Sequence, residues 1–239
     1  MKTFIINFLR AFNIPLSFFP FLYSSVLKKD RFFYRPFFQP WLTDKKLKNI
    51  LRRIKNNTTS RKETFYYLKE LSNSVKNIDG IFCECGVYQG GTANLLGDIA
   101  KTQGKHLHLF DTFSGMPEQT ISKDYFKIGS FSDTSLDSVK KNLKHLKNIF
   151  FHKGFLPDTL KSIESKKISF AHIDVDQFLT TKKCLNIILK QMTKGGIIVI
   201  DDYGRPGTPG ARSAVEEVCK VNQLFPISLP TGQCFILIN

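Results

Sequence analysis

From Gly80 onward the chain alternates short apolar runs with helix-length stretches, and this constrains its fold more than any other feature. Short apolar runs suit buried strands, and strands separated by helices pack as βαβ units around a mostly parallel sheet. The expected strands are Ile81–Cys85, His106–Phe110, Ile149–Lys153, Ile168–Ile173 and Ile197–Ile200, with helices at about Thr92–Lys101, Ser135–Leu146, Thr181–Met192 and Ala211–Asn222. Beyond them, Phe225–Leu229 and Gln233–Ile238 flank Pro230-Thr231-Gly232, two strands around a tight turn. The pattern predicts a Rossmann-like α/β fold: a doubly wound, mostly parallel seven-stranded sheet closed by a C-terminal antiparallel hairpin.

The first third is different in kind. Leu47, Ile50, Leu51 and Ile54 recur at helical spacing among Lys45, Lys46, Lys48, Arg52, Arg53 and Lys55, which reads as an amphipathic basic helix. A second helix is expected from a Ser60/Glu63 capping box through Phe65, Leu68, Leu71 and Val75 to a stop at Asn77, Asp79 and Gly80. Charge follows the same division: residues 1–79 hold 16 Lys/Arg against 5 Asp/Glu, and residues 80–239 hold 19 against 15. A Phe-rich, basic leader on a nearly balanced body suits attachment to an anionic surface. Residues 3–27 are apolar, but Arg10, Pro15 and Pro20 break them into pieces too short to span a bilayer. Residues 1–40 are therefore expected as an arm that makes peripheral membrane contact or packs against a partner subunit, 41–79 as a helical cap and 80–239 as the catalytic domain. The five cysteines form no zinc-spaced cluster and are odd in number, which favours a reducing, cytoplasmic setting.

Ligands of open α/β sheets sit at the carboxyl ends of the strands. The first strand runs into Glu84-Cys85-Gly86-Val87-Tyr88-Gln89-Gly90-Gly91 and then a helix. Its glycines allow a sharp turn and the helix start offers free N–H groups, while Glu84 would repel a diphosphate and attract an ammonium. The second strand ends at Asp111, placed to accept ribose hydroxyls, and Thr112-Phe113-Ser114-Gly115-Met116-Pro117 follows. Together these suggest a site for a nucleoside joined to an amino acid. The fourth and fifth strands deliver Asp174-Val175-Asp176 and Asp201-Asp202. Four carboxylates at neighbouring strand ends repel one another unless a hard cation such as Mg²⁺ compensates. Asp174-Val175-Asp176 also fits the D-x-D motif of metal-dependent glycosyltransferases, and a non-catalytic binding module is a third reading. No Asn/Asp-Pro-Pro-aromatic element follows the fourth strand, so a nucleic-acid substrate is not expected. His106, His108, His145, His152 and His172 are read as structural, although His172 lies on the same side of its strand as Asp174.

Five segments in order, ECGVYQGGTA, FDTFSGMP, KGFLPDTL, IDVDQFLTT and GGIIVIDDYG, resemble the macrocin-type sugar O-methyltransferases over roughly residues 80–239. These are class I S-adenosylmethionine-dependent enzymes, and the closing hairpin suits that class. The resemblance implies methyl transfer to a hydroxyl of a sugar, glycan or polyol, with Mg²⁺ or a similar cation held by Asp174, Asp201 and Asp202. It places the cofactor against Glu84, Gly86, Val87, Tyr88, Gly90 and Gly91 and against Asp111, Thr112 and Phe113. The chain departs from the pattern where Gln177 stands in place of a Lys or His base, and where Asp176-Gln177-Phe178-Leu179-Thr180-Thr181 replaces Asp-Leu-Tyr-Glu-Ser-Thr. Catalysis then falls to Asp174 and Asp176, with Asp176 accepting the proton of a hydroxyl that the cation acidifies. Self-association into a homo-oligomer is expected as well.

Overall fold

Residues 39–117 and 126–239 are described by a computed structural model; the arm expected over residues 1–40 lies outside them apart from its last two residues. Seven strands form one sheet: β1 (Ile81–Cys85), β2 (Leu107–Asp111), β3 (Ile149–Lys153), β4 (Ile168–Ile173), β5 (Met192–Ile200), β6 (Ile227–Ser228) and β7 (Cys234–Leu237). Their spatial order is β3-β2-β1-β4-β5-β7-β6. The first five run parallel, and β7 is antiparallel to both β5 and β6. The order reverses between β1 and β4, which opens a crevice at their carboxyl ends.

Register makes that crevice chemical. Cys85 pairs with Phe110 on one side and Ile173 on the other, and Ile173 pairs with Ile200. The next residue of each strand therefore falls in one row, Asp111, Gly86, Asp174 and Asp201. The ladder continues into this row through Gly86 N–H to Phe110 O at 2.9 Å, Asp174 N–H to Cys85 O at 2.8 Å and Asp201 N–H to Ile173 O at 3.0 Å.

Alternation along the strands feeds two cores. On one face Phe82, Leu107, Leu109, Phe170 and Val199 pack with α1 (Lys45–Arg53), α2 (Lys62–Ser74), α3 (Gly91–Thr102) and α4 (Leu136–Asn142). On the other, Cys83, Cys85, Phe110, Ala171, Ile173 and Ile198 meet α5 (Phe178–Leu189), α6 (Pro209–Val221) and a 3-10 segment, Asp158–Ile163. Leu47 of α1 and Phe65 and Leu68 of α2 are fully buried in the same core as the sheet. All five cysteines are buried free thiols.

Several boundaries differ from the sequence reading. The Ser60/Glu63 capping box does not form: α2 starts at Lys62 behind an extended Arg61 that makes no side-chain cap. Ser60 instead donates its N–H to Thr58 Oγ1, within a connector occupied elsewhere. Strand β5 begins at Met192, where Ile168 pairs with it; Thr193–Gly196 fall in a register shift before Phe170 meets Ile197, and Gly195 N–H donates to Ile238 O at 2.7 Å. The helix expected to Leu146 stops at Asn142, and β6 keeps two residues, since Pro226 has no N–H for the ladder.

Candidate active site

One cavity opens over the row of strand ends. It is lined by Gly86, Val87, Tyr88 and Asp111, by Asp174–Gln177 with Asp201, Asp202 and Arg205, and by Phe126 and Phe131. Asn57, Thr58, Thr59 and Ser60, from the α1–α2 connector, complete the wall.

The turn after β1 is shaped by close approach. Gly86 has φ +85°, and a Cβ there would lie 1.8 Å from the Asp174 carbonyl oxygen. Only glycine lets β1 and β4 end side by side. Tyr88 takes a positive φ of 51°, and Asp111 holds the turn in place. Asp111 Oδ2 accepts the N–H groups of Val87 (2.6 Å) and Tyr88 (3.0 Å), and Oδ1 accepts that of Phe113 (2.7 Å). A carboxylate has about four acceptor sites, so three backbone donors leave little room for two ribose hydroxyls. Gly91 starts α3 under the connector, where a Cβ would sit 2.5 Å from Thr58 Cβ. Gly90 and Phe113 lie behind the cavity wall: Gly90 packs on Val139 and Phe113 is buried in the core.

Glu84 also lies behind the wall. It is fully buried, opposite His172 in the β1–β4 register, and its Oε1 is 2.9 Å from His172 Nδ1. His172 Nε2 points at Asp201 Oδ1 from 3.7 Å. Burial alone would push the imidazole down, but Asp201 and Glu84 outweigh it and carry His172 up to about 10. Asp201 accepts Gln233 Nε2–H at 2.9 Å and pairs with the Arg205 guanidinium. Burial would raise its carboxyl, yet His172, Arg205 and Gln233 hold it below the usual range.

The other acids are pushed the opposite way. Burial first, then the charges of Asp201 and Asp202, lifts Asp174 well above a normal carboxyl; burial, Asp176 and Asp201 do the same to Asp202. Burial with Asp174 beside it raises Asp176 to about 7. Asp176 sits in the left-handed region at φ 57°, which costs a non-glycine residue some strain. Its N–H donates to Asp202 Oδ2 at 3.1 Å. Among the described residues two groups have ligand atoms all within 4.8 Å of one another: His172, Asp174 and Asp201, and Asp174, Asp176 and Asp202. Asp174, Asp201 and Asp202 therefore meet in two overlapping groups joined by Asp174. Hard oxygen donors whose mutual repulsion blocks full ionisation fit a divalent cation.

Sequence reasoning missed Gln233, Arg205 and the Asn57–Ser60 connector, and set His172 aside. Arg205 lies four residues after Asp201 and three after Asp202, and His172 two before Asp174, so both were within reach of a spacing argument. No local signal brings Gln233 from the hairpin to Asp201. Gln177 lines the cavity as the N-cap of α5, and Thr180 Oγ1 donates to its Oε1 at 3.0 Å.

Residues 61–227 match the model of the macrocin-O-methyltransferase (TylF) family. A 4'-O-methyltransferase of Streptomyces olivaceus that acts on 8-demethyl-8-(2,3-dimethoxy-alpha-L-rhamnosyl)-tetracenomycin-C is 22% identical, over 53% of this chain and 54% of its own. Demethyldecarbamoylnovobiocin O-methyltransferase of Streptomyces niveus is 23% identical, over 59% and 58%. The chain spans little more than half the length of these curated relatives. The structure of the O-methyltransferase NovP superposes with a TM-score of 0.69 at 20% identity, covering 77% of this chain and 82% of that one, a likeness of fold.

Proposed function

The chain belongs to the macrocin-O-methyltransferase family, and from that membership we propose that it moves a methyl group from S-adenosylmethionine to a hydroxyl of a sugar or related polyol, with a divalent cation such as Mg²⁺ required. The observation that carries this reading is the single row of strand ends, which sets the Gly86–Gly91 turn and Asp111 beside four carboxylates in one cavity. The sugar as acceptor takes its support from the name of the Streptomyces olivaceus relative, whose substrate bears a rhamnosyl group. Family membership speaks against the D-x-D glycosyltransferase reading.

S-adenosylmethionine would supply an electrophilic methyl, and a divalent cation, which Asp174, Asp201 and Asp202 would hold, would supply acidification of the acceptor hydroxyl. The chain's own residues do the rest. Asp176, near 7 and at the cavity, takes the hydroxyl proton, a role Gln177 cannot fill. Asp111 fixes the turn and keeps at most a remaining lone pair for a ribose hydroxyl. Glu84 acts indirectly, holding His172, which with Gln233 and Arg205 fixes the orientation of Asp201. Phe126 and Phe131 add apolar lining that excludes water.

The test is transfer of labelled methyl from S-adenosylmethionine to a panel of saccharides, with Mg²⁺ and with excess EDTA. Transfer that needs Mg²⁺ and falls on the order of 10²-fold or more in Asp176→Asn, with cofactor affinity kept, is the expected outcome. Undiminished transfer in EDTA would remove the cation from the reading.

A further inference from the structure

We propose that the outer face of α1 is a docking surface for an anionic lipid bilayer. The inner face of this helix is spent on the fold: Leu47 and Ile54 are buried in the core, and Ile50 and Leu51 pack against it. Outside stand Lys45, Lys46, Lys48, Arg52 and Lys55, all exposed. None of the five has an acidic partner among the described residues. Residues 39–62 contain eight Lys/Arg and one acid, Asp44. Asp44 is withdrawn from the face, since it caps α1 through Leu47 N–H at 3.0 Å and pairs with Lys69 at 2.9 Å. Arg53 is turned the other way, onto Asn94 and Asp98 of α3.

Unneutralised like charges on one short helix repel one another and add nothing to folding, so the face is complementary to an external anion. Its apolar side is unavailable for insertion, and no helix among the described residues is long and apolar enough to cross a membrane. Binding through α1 is thus electrostatic and salt-sensitive, acting within a Debye length of about 10 Å at 0.1 M salt. A bilayer is favoured over nucleic acid by the sequence that leads into α1. Residues 1–38 carry ten Phe with Lys28, Lys29, Arg31 and Arg35, a composition for the lipid interface. The face is also joined to the cavity, because Arg53 anchors α1 beside the first turns of α3 and the connector after α1 forms the Asn57–Ser60 wall. Docking there holds one wall of the cavity near the headgroups.

The experiment is co-sedimentation of the full chain with vesicles of phosphatidylcholine alone or mixed with phosphatidylglycerol. One variant carries Lys45, Lys46, Lys48, Arg52 and Lys55→Gln; a second loses the same charge elsewhere, with Lys144, Lys161, Lys183, Lys190 and Lys220→Gln. The wild type should bind only the anionic vesicles and leave them at high salt. The α1 variant should lose on the order of tenfold or more in partitioning while the charge-matched control stays within about twofold. An equal fall in both variants would reduce the effect to net charge, and no fall in the α1 variant would clear the helix of any role. Binding of duplex DNA as tight as that of vesicles, with the same dependence on α1, would also overturn the proposal. Melting temperature and S-adenosylhomocysteine affinity, measured on all three proteins, show that the variants are folded and separate a failure of docking from a failure of the proposed activity.

Discussion

Asp111 shows how one residue serves both fold and site. Its carboxylate satisfies three backbone N–H groups of two different loops, so Asp111→Ala leaves Val87, Tyr88 and Phe113 N–H without their acceptor. The expected cost is on the order of 3 kcal/mol, read as a lower melting temperature, with S-adenosylhomocysteine affinity falling alongside it in calorimetry. Loss of affinity with unchanged stability would mean that the turn stands without Asp111. Arg205 is a second such residue, a tethered cation beside Asp201 and 3.7 Å from Asp202. Removing it sharpens the repulsion among the acids. Arg205→Ala should melt lower in chelator and gain more than the wild type on addition of Mg²⁺, because a cation that binds only the folded state stabilises by mass action. An identical Mg²⁺ response in both proteins would place the ion away from Asp201 and Asp202. Of these residues Asp111, Asp174 and Asp201 were legible in the sequence because each ends or directly follows an apolar strand, and Asp176 and Asp202 because they follow those acids within two residues. Gln233 was not, because its position depends on how the hairpin folds back.

At the scale of elements, two packings carry consequences. The α1–α2 connector rests on the start of α3 at Gly91, where an added Cβ would lie 2.7 Å from the Asn57 carbonyl oxygen. Backbone cannot swing aside as a side chain does, so Gly91→Ala should displace the connector at a cost of about 1–3 kcal/mol and weaken cofactor binding. Calorimetry with S-adenosylhomocysteine checks it, and unchanged affinity would show that the connector takes no part. Strands β2 and β3 are joined by His108 Nδ1 to His152 Nε2 at 2.9 Å, with Ser162 Oγ 2.8 Å from His152 Nδ1. Burial, then His152, pushes His108 down to about 4, and burial lowers His152. Below the unfolded value of about 6.5 the unfolded chain takes up protons that the native pair refuses. Stability is therefore full above that pH and falls as pH drops toward 4, by up to about 3 kcal/mol for His108. His108→Phe should flatten urea-measured stability across this window; a slope of wild-type size would assign it to other groups. The elements themselves were largely legible from periodicity. Their ends were not: Thr193–Gly196 extend β5 across a register shift that leaves no mark in hydropathy, and Ser60 belongs to the cavity wall instead of a cap.

At the scale of the whole molecule, α1 and α2 share one core with the sheet, so the first described helices and the sheet should unfold together. Trp41, the chain's sole tryptophan, stands 6.0 Å from Tyr66 of α2 and reports on that region. Its fluorescence and the far-ultraviolet signal of the whole chain should show coincident urea transitions. An earlier fluorescence transition would make the N-terminal helices a separate unit. The sequence by itself determined the alternation of strand and helix, the closing hairpin, the family and the acids at the strand ends, because these depend on residues adjacent in the chain. Tertiary structure alone decided what those acids face. Register levelled four strand ends into one row, pressed Gly86 against the Asp174 carbonyl, turned Glu84 inward to His172, and brought Gln233 and the Asn57–Ser60 connector to the cavity. Side-chain partners and the charge states they enforce arise from distances between segments far apart in the chain, and those distances exist only once the sheet has formed.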